Sequence, residues 1–295
     1  MARTAFHIKD LYRAARGRQQ RPILVCLALL CVLASTYGAT GYAQEVLGPC
    51  DPSFVRQWHL PPVTRIAYRL AAATPEAPPG AVRLEWLGHS SFLLTSPAGT
   101  RMLTDPHAYY TLREALDAST ISNLHITHSD VRGLPGNPRL LWGMTREQGW
   151  NQLALMIRDI GVFNVPSYLS RVEPEQSPIQ NSIFVFRTGG LCLVHLGNLR
   201  HPLTSHQLQR LGRPDVLMVP ADGSWTLSFE DVLTVIEQLR PALVIPMHID
   251  TSQQALAFAQ HTGARYPVRH VPERALTLNR QLLPATTTIV LFGGS

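Results

Sequence analysis

The stretch GLCLVHLGNLRHP, Gly190 to Pro202, decides how the chain is read. Leu191 to Leu196 is a short apolar run entered from Gly189-Gly190 and left through Gly197, the pattern of a strand buried in a layered sheet. His195, Asn198, Arg200 and His201 crowd its exit. Two imidazoles, an amide and a guanidinium at the end of a core strand suit a site better than a folding core. Taken singly, His195 also reads as a core histidine satisfied by a carbonyl, and His201 as the residue before a proline turn.

Outward from this strand, the neighbours repeat the pattern. Upstream, Asn181 to Arg187 is a second strand, joined to the first by a hairpin at Thr188 to Gly190. Further back, Val82 to Leu87, Ser91 to Thr95 and Arg101 to Thr104 read as strands in hairpins, followed by Asn123 to Thr127 and an ill-defined middle. Downstream the chain alternates: helix Thr204–Leu211, strand Val216–Val219, helix Ser228–Leu239, strand Leu243–Pro246, helix Ser252–His261 and strand Thr287–Phe292. Ser228 with Asp231 three residues on predicts a helix N-cap. Hairpins first and alternation later predict an α/β sandwich of two mixed sheets covered by helices.

The 295 residues are 45% hydrophobic and 16% charged, a globular composition. The net charge of +6 is concentrated in residues 1–43, where Arg3, Lys9, Arg13, Arg16, Arg18 and Arg21 face Asp10 alone. The rest is near neutral and has no Lys, so nucleic acid is not an expected partner. The basic segment precedes the apolar run Ile23 to Ala34, then small residues including Gly41 and Ala43, the order of a signal peptide cut ahead of Gln44. An uncleaved anchor over residues 23–39 is the alternative, and the sole expected membrane contact. Either way the body is expected to be exported, periplasmic or secreted. Residues 44–80 are proline-rich and read as a linker, leaving 81–295 as the domain. Cys26 and Cys31 lie in the apolar run. Of Cys50 and Cys192, the second sits mid-strand, where a buried unpaired thiol is the expected state, although export permits a bridge.

Chemistry-bearing residues recur at strand exits: His89, then Asp105 and His107, His128 and Asp130, His195 with Asn198 and His201, Asp222, and His248. Imidazoles and carboxylates are ligands for zinc, manganese or iron, and strands ending at one edge can bring them together. There is no Gly-x-Ser-x-Gly elbow, dinucleotide fingerprint or phosphate loop. Trp142, Trp150 and Trp225 read as core or pocket wall.

The ordered series Trp86-Leu-Gly-His89-Ser-Ser-Phe, Leu103-Thr-Asp105-Pro, Ile126-Thr-His128, Asn181-Ser-Ile-Phe, His195-Leu-Gly197 and Ile245-Pro-Met-His248 resembles the metallo-β-lactamase superfamily. The branch it looks most like holds the ascorbate-6-phosphate lactonase-like proteins. The resemblance covers Val82 to His248 and implies a four-layer αββα sandwich with a metal site at one edge. It also implies a divalent metal, zinc first and manganese or iron next, activating water against a small-molecule ester, lactone or phosphodiester.

The chain departs from the family pattern in its ligands. His-x-His-x-Asp-His is replaced by His128-Ser-Asp130-Val-Arg132-Gly133, a later family histidine falls near Leu169, and the bridging aspartate falls on Asn198. Only His128 and His248 stand unchanged. A rearranged set of His128, Asp130, His195 and His248 is therefore expected to bind the metal. Asp105 and Asp222 are expected to assist catalysis, Asp105 by fixing a ligand and Asp222 as base or helix cap, with His89, Asn198 and His201 in outer positions. The alternative is a catalytically inactive protein of the same fold acting as a binding module.

Overall fold

The sequence alternates over residues 82–88, and burial follows it, whereas residues 91–95 and 101–104 are buried on both faces. In β1 (Val82–Gly88), Val82, Leu84 and Trp86 are buried while Arg83 is exposed. Across β2 (Ser91–Thr95) and β3 (Arg101–Thr104), Phe92, Leu94 and Met102 face the same core. Leu93 and Leu103 face the other way and join Leu116 in a small outer cluster. This computed structural model describes residues 48–51, 78, 80–108, 110–145, 147 and 149–293. The leader or anchor in 1–43 and most of the linker in 44–80 lie outside the described residues.

The six-stranded sheet runs β13-β1-β2-β3-β4-β5, with β4 at Ala118–Ile121, β5 at Arg139–Trp142 and β13 at Ala275–Leu278. The eight-stranded sheet runs β12-β14-β11-β10-β9-β8-β7-β6. Its strands are β6 (Ala154–Ile157), β7 (Ile160–Tyr168), β8 (Ile179–Thr188), β9 (Leu191–His195), β10 (Val216–Pro220), β11 (Leu243–Met247), β12 (Val268–Val271) and β14 (Thr288–Phe292). Both sheets are mixed. β9, β10 and β11 are buried along their whole length, as expected of parallel strands covered on both faces.

Helices follow the alternation of the last third. They are α2 (Ser205–Leu211), α3 (Phe229–Leu239) and α4 (Ser252–Gly263), after a single-turn α1 (Ile126–Ser129). α3 buries Val232, Leu233, Val235, Ile236 and Leu239, and its capping box joins Ser228 and Asp231 as the spacing predicts. α2 docks on β7, where Gln207 Nε2 donates to the Pro166 carbonyl at 2.8 Å. The expected hairpin at Thr188–Gly190 also forms. Gly189 and Gly190 have φ of +58° and +73°, the left-handed pair of a tight two-residue turn, and Thr188 pairs with Leu191.

Three expectations are corrected. Asn123 to Thr127 is not a strand: the pairing strand is β4, and Asn123 Oδ1 then accepts from His125 N at 2.9 Å, turning the chain into α1. The middle of the chain supplies three strands, β5, β6 and β7, and residues 268–278 supply β12 and β13. Cys192 is not a free thiol. It is bonded to Cys50, with Cα atoms 5.5 Å apart. The segment around Cys50 is held there by its own backbone: Cys50 N donates to Leu211 O at 3.0 Å, and Arg187 donates to the Pro49 carbonyl. Among the described residues, no helix is long and apolar enough to cross a membrane.

Candidate metal centre

Three imidazoles meet where the two sheets end. His89 follows β1, His128 stands in α1 after β4, and His248 follows β11. One ring nitrogen from each lies within 4.8 Å of the others. The ring centroids are 4.1 Å apart for His89 and His248, 5.0 Å for His128 and His248, and 5.3 Å for His89 and His128. The backbone is bent to achieve this. His89, Asp105 and His248 have φ of +49°, +40° and +62°, a left-handed conformation that non-glycine residues adopt at a cost and that clusters at functional sites. His248 N donates to the His89 carbonyl at 3.1 Å, tying two of the three turns together.

Each imidazole has a carboxylate on its Nδ1 side. For His128 it is Asp105 Oδ2 at 2.7 Å, for His89 it is Asp250 Oδ1 at 3.3 Å, and for His248 it is Asp222 Oδ2 at 3.7 Å. Asp105 is fully buried and also accepts from Ser122 N and Oγ at 2.7 and 2.6 Å. Burial alone would raise its carboxyl pKa, but His128, His195 and the Ser122 hydroxyl together hold it below the usual carboxylate range. His128 therefore carries its proton on Nδ1, leaving Nε2 with a free lone pair. His248 is lowered well below the ordinary imidazole range by burial and by the neighbouring His128 and His89, so it is neutral. Its Nε2 is buried with no hydrogen-bond partner. An orphaned buried acceptor facing two other imidazoles fits a cation, for which three imidazole nitrogens are a familiar donor set.

The other expected ligands are placed elsewhere. His195 has both ring nitrogens engaged: Nε2 lies 2.8 Å from the Ser90 carbonyl, and Nδ1 accepts from Gly197 N at 3.2 Å. It is the satisfied core histidine, lowered in pKa by burial, and lies outside the cluster. Asp130 is gripped by Arg132 through two bonds of 2.7 Å, Nε to Oδ1 and Nη2 to Oδ2. The guanidinium holds its carboxyl below the ordinary range, and it too is outside the cluster. His201 accepts from Tyr168 N at 3.1 Å and bonds the Pro202 carbonyl at 2.8 Å, bracing the end of β7.

Asn198 uses its backbone N to reach Asn181 Oδ1 at 2.8 Å. The turn there requires Gly197, where a Cβ would come within 2.3 Å of that same oxygen. Asp222 spends its Oδ1 on the backbone N of Ser224, Trp225 and Thr226 at 2.8, 2.6 and 3.2 Å, and its Oδ2 on Thr226 Oγ1 at 2.6 Å. It holds a turn and borders His248 rather than standing free as a base. His89, expected in an outer position, joins the cluster, and Asp250 was missed. The sequence signal for Asp250 was its place two residues beyond His248 at the same strand exit.

The family model described as the beta-lactamase superfamily domain matches residues 83–248, more than half of the chain. The chain belongs to the β-lactamase superfamily. Curated relatives of the chain include a UPF0173 protein of Pyrococcus furiosus, 24% identical over 59% of this chain and 86% of its own length. A UPF0173 metal-dependent hydrolase of Caldivirga maquilingensis is 25% identical over 72% of this chain and 95% of its own. Among solved structures, a Thermotoga maritima protein assigned as a zinc-dependent hydrolase of the metallo-β-lactamase superfamily aligns with a TM-score of 0.55 at 24% identity. That alignment covers 72% of this chain and 98% of the other. The metallo-β-lactamase-fold protein YhfI of Bacillus subtilis aligns at 0.52 with 9% identity, over 73% and 98%. The expected superfamily and its sandwich fold are thus both found.

Proposed function

We propose that this protein is an exported metal-dependent hydrolase whose ligands are His89, His128 and His248. The observation that carries the reading is the set of three imidazoles, each with a carboxylate at Nδ1 and one with an unpartnered buried Nε2. When bound, a divalent cation such as zinc, or manganese or iron, lowers the pKa of a coordinated water toward about 7 and polarises the bond to be hydrolysed. Asp105 and Asp250 orient His128 and His89, and Asp222 borders His248 while fixing the adjoining turn. The substrate class expected is a small-molecule ester, lactone or phosphodiester.

The names of the UPF0173 relatives support hydrolysis. Export is supported by the leader-like order of residues 1–43 and by the Cys50–Cys192 bridge, a bond that persists in oxidising compartments. Loss of the second and later ligands of the family motif, at Asp130, Arg132 and Gly133, favours the alternative of an inactive binding module. Elemental analysis of purified protein decides between them. About one bound cation per chain, abolished in His128→Ala and His248→Ala together with ester, lactone or phosphodiester turnover, is the expected result. No metal after refolding with zinc, manganese or iron overturns the hydrolase.

A further inference from the structure

Five of the eight large apolar side chains left exposed among the described residues, Leu124, Ile126, Leu169, Val172 and Trp225, stand on loops or, for Ile126, at the start of α1, in segments leaving the sheet edge that carries the three imidazoles. Leu124 and Ile126 precede His128 in the same short segment. Leu169 and Val172 follow β7, whose end is tied to the turn after β9 by the Tyr168–His201 bond. Trp225 follows β10 and is 82% exposed, more than any other large apolar side chain described. Isolated exposed apolar residues are unremarkable, but a set gathered at one functional edge marks a binding surface.

The Trp225 loop is densely hydrogen-bonded and connected to the site. Asp222 takes three consecutive backbone N–H groups of this loop and the Thr226 hydroxyl, and the same carboxylate lies beside His248. Arg171 ties the Val172 loop to the first turn of α3, which follows the Trp225 loop, and to the turn after β9, bonding Asp231 with Nη2 and the Arg200 carbonyl with Nε. A loop held by so many bonds presents its indole to water without losing the order needed for recognition, so little entropy is spent when a ligand arrives. Indole is the side chain best suited to such a platform, offering a large flat apolar area.

We infer that Trp225, on the same sheet edge as Leu169 and Val172, is a specificity-determining platform that takes an apolar alkyl or aryl portion of the substrate. The preferred substrates are therefore amphiphilic, with an apolar group attached to the hydrolysable bond, rather than small and wholly polar. The inference rests on the hydrolase reading for its reaction, but its test reads binding.

Calorimetric titration of the full-length protein with octanoate and with acetate, both with and without added zinc, supplies that test. Octanoate is expected to bind at least about tenfold more tightly than acetate, because its extra methylenes leave water. Trp225→Ala is expected to remove most of that ratio, Trp225→Phe to keep it within about threefold, and Leu256→Ala, on the outer side of α4, to leave it unchanged. Equal binding of the two acids, or an octanoate preference indifferent to Trp225→Ala, overturns the inference even if metal and turnover are found. So does light scattering that shows Trp225→Ala dissociating a dimer, since the indole would then belong to an interface. A Trp225-dependent preference in protein that holds no metal overturns the hydrolase alone.

Discussion

Asp105 shows how much a single buried carboxylate can determine. It accepts from Ser122 twice and from His128 Nδ1, so it fixes both the loop after β4 and the tautomer of one imidazole. Asp105→Asn keeps the size but offers an amide N–H toward His128 Nδ1. The imidazole must then carry its proton on Nε2, the nitrogen that the proposed centre needs bare. Metal affinity is expected to fall about tenfold to a hundredfold while the circular dichroism spectrum stays unchanged, as a competition titration with a chromophoric chelator would measure. A second residue reports through pH. Burial pushes the Tyr110 phenol, whose hydroxyl has no hydrogen-bond partner, up to about 12. The folded protein then holds a proton that the unfolded chain releases near 10, so Tyr110 adds stability below pH 10 that is lost as pH rises toward 12. The melting temperature is expected to drop across that window, and the drop to be shallower in Tyr110→Phe.

At the scale of elements, the turn after β10 is the piece whose role differs most from its appearance in sequence. Asp222 reads as a base or a helix cap, and α3 is in fact capped by Ser228, leaving Asp222 to gather the 223–226 turn. Asp222→Ala is expected to cost about 1–3 kcal/mol and to speed hydrogen exchange at Ser224, Trp225 and Thr226, with β10 itself still protected. Equal exchange in the variant would show that the turn holds itself. Strands were legible where apolar residues alternate or run unbroken, as in β1 and β9. They were illegible in β5, β6, β12 and β13, whose exposed or half-buried side chains leave no clear period. Of the cluster, the strand-exit rule picked out His89, His128 and His248 alike, and the family resemblance then put His128 and His248 among the expected ligands and His89 outside them. The rule could not separate them from His195, because which way a ring nitrogen faces depends on a backbone φ and on the distant Ser90 carbonyl. Asp130 failed as a ligand for a nearer reason: Arg132, two residues on, closes on it from outside.

Over the whole described domain, the Cys50–Cys192 bond joins a short segment to the middle of the eight-stranded sheet across 142 residues. Reading Cys192 as a lone core thiol missed this because nothing near Cys50 in sequence marks its docking against Leu211. Cys50→Ser is expected to lower stability by about 2–4 kcal/mol, chiefly by releasing the unfolded chain, and thermal melts with and without reductant should converge in that variant. The link between His248 N and the His89 carbonyl has a different reach. His89 leaves one sheet and His248 the other, near opposite ends of the family-matched span. An ion seated among these rings would rivet the two leaves of the sandwich along their common seam, so whatever strips it would loosen the architecture as well as silence the chemistry.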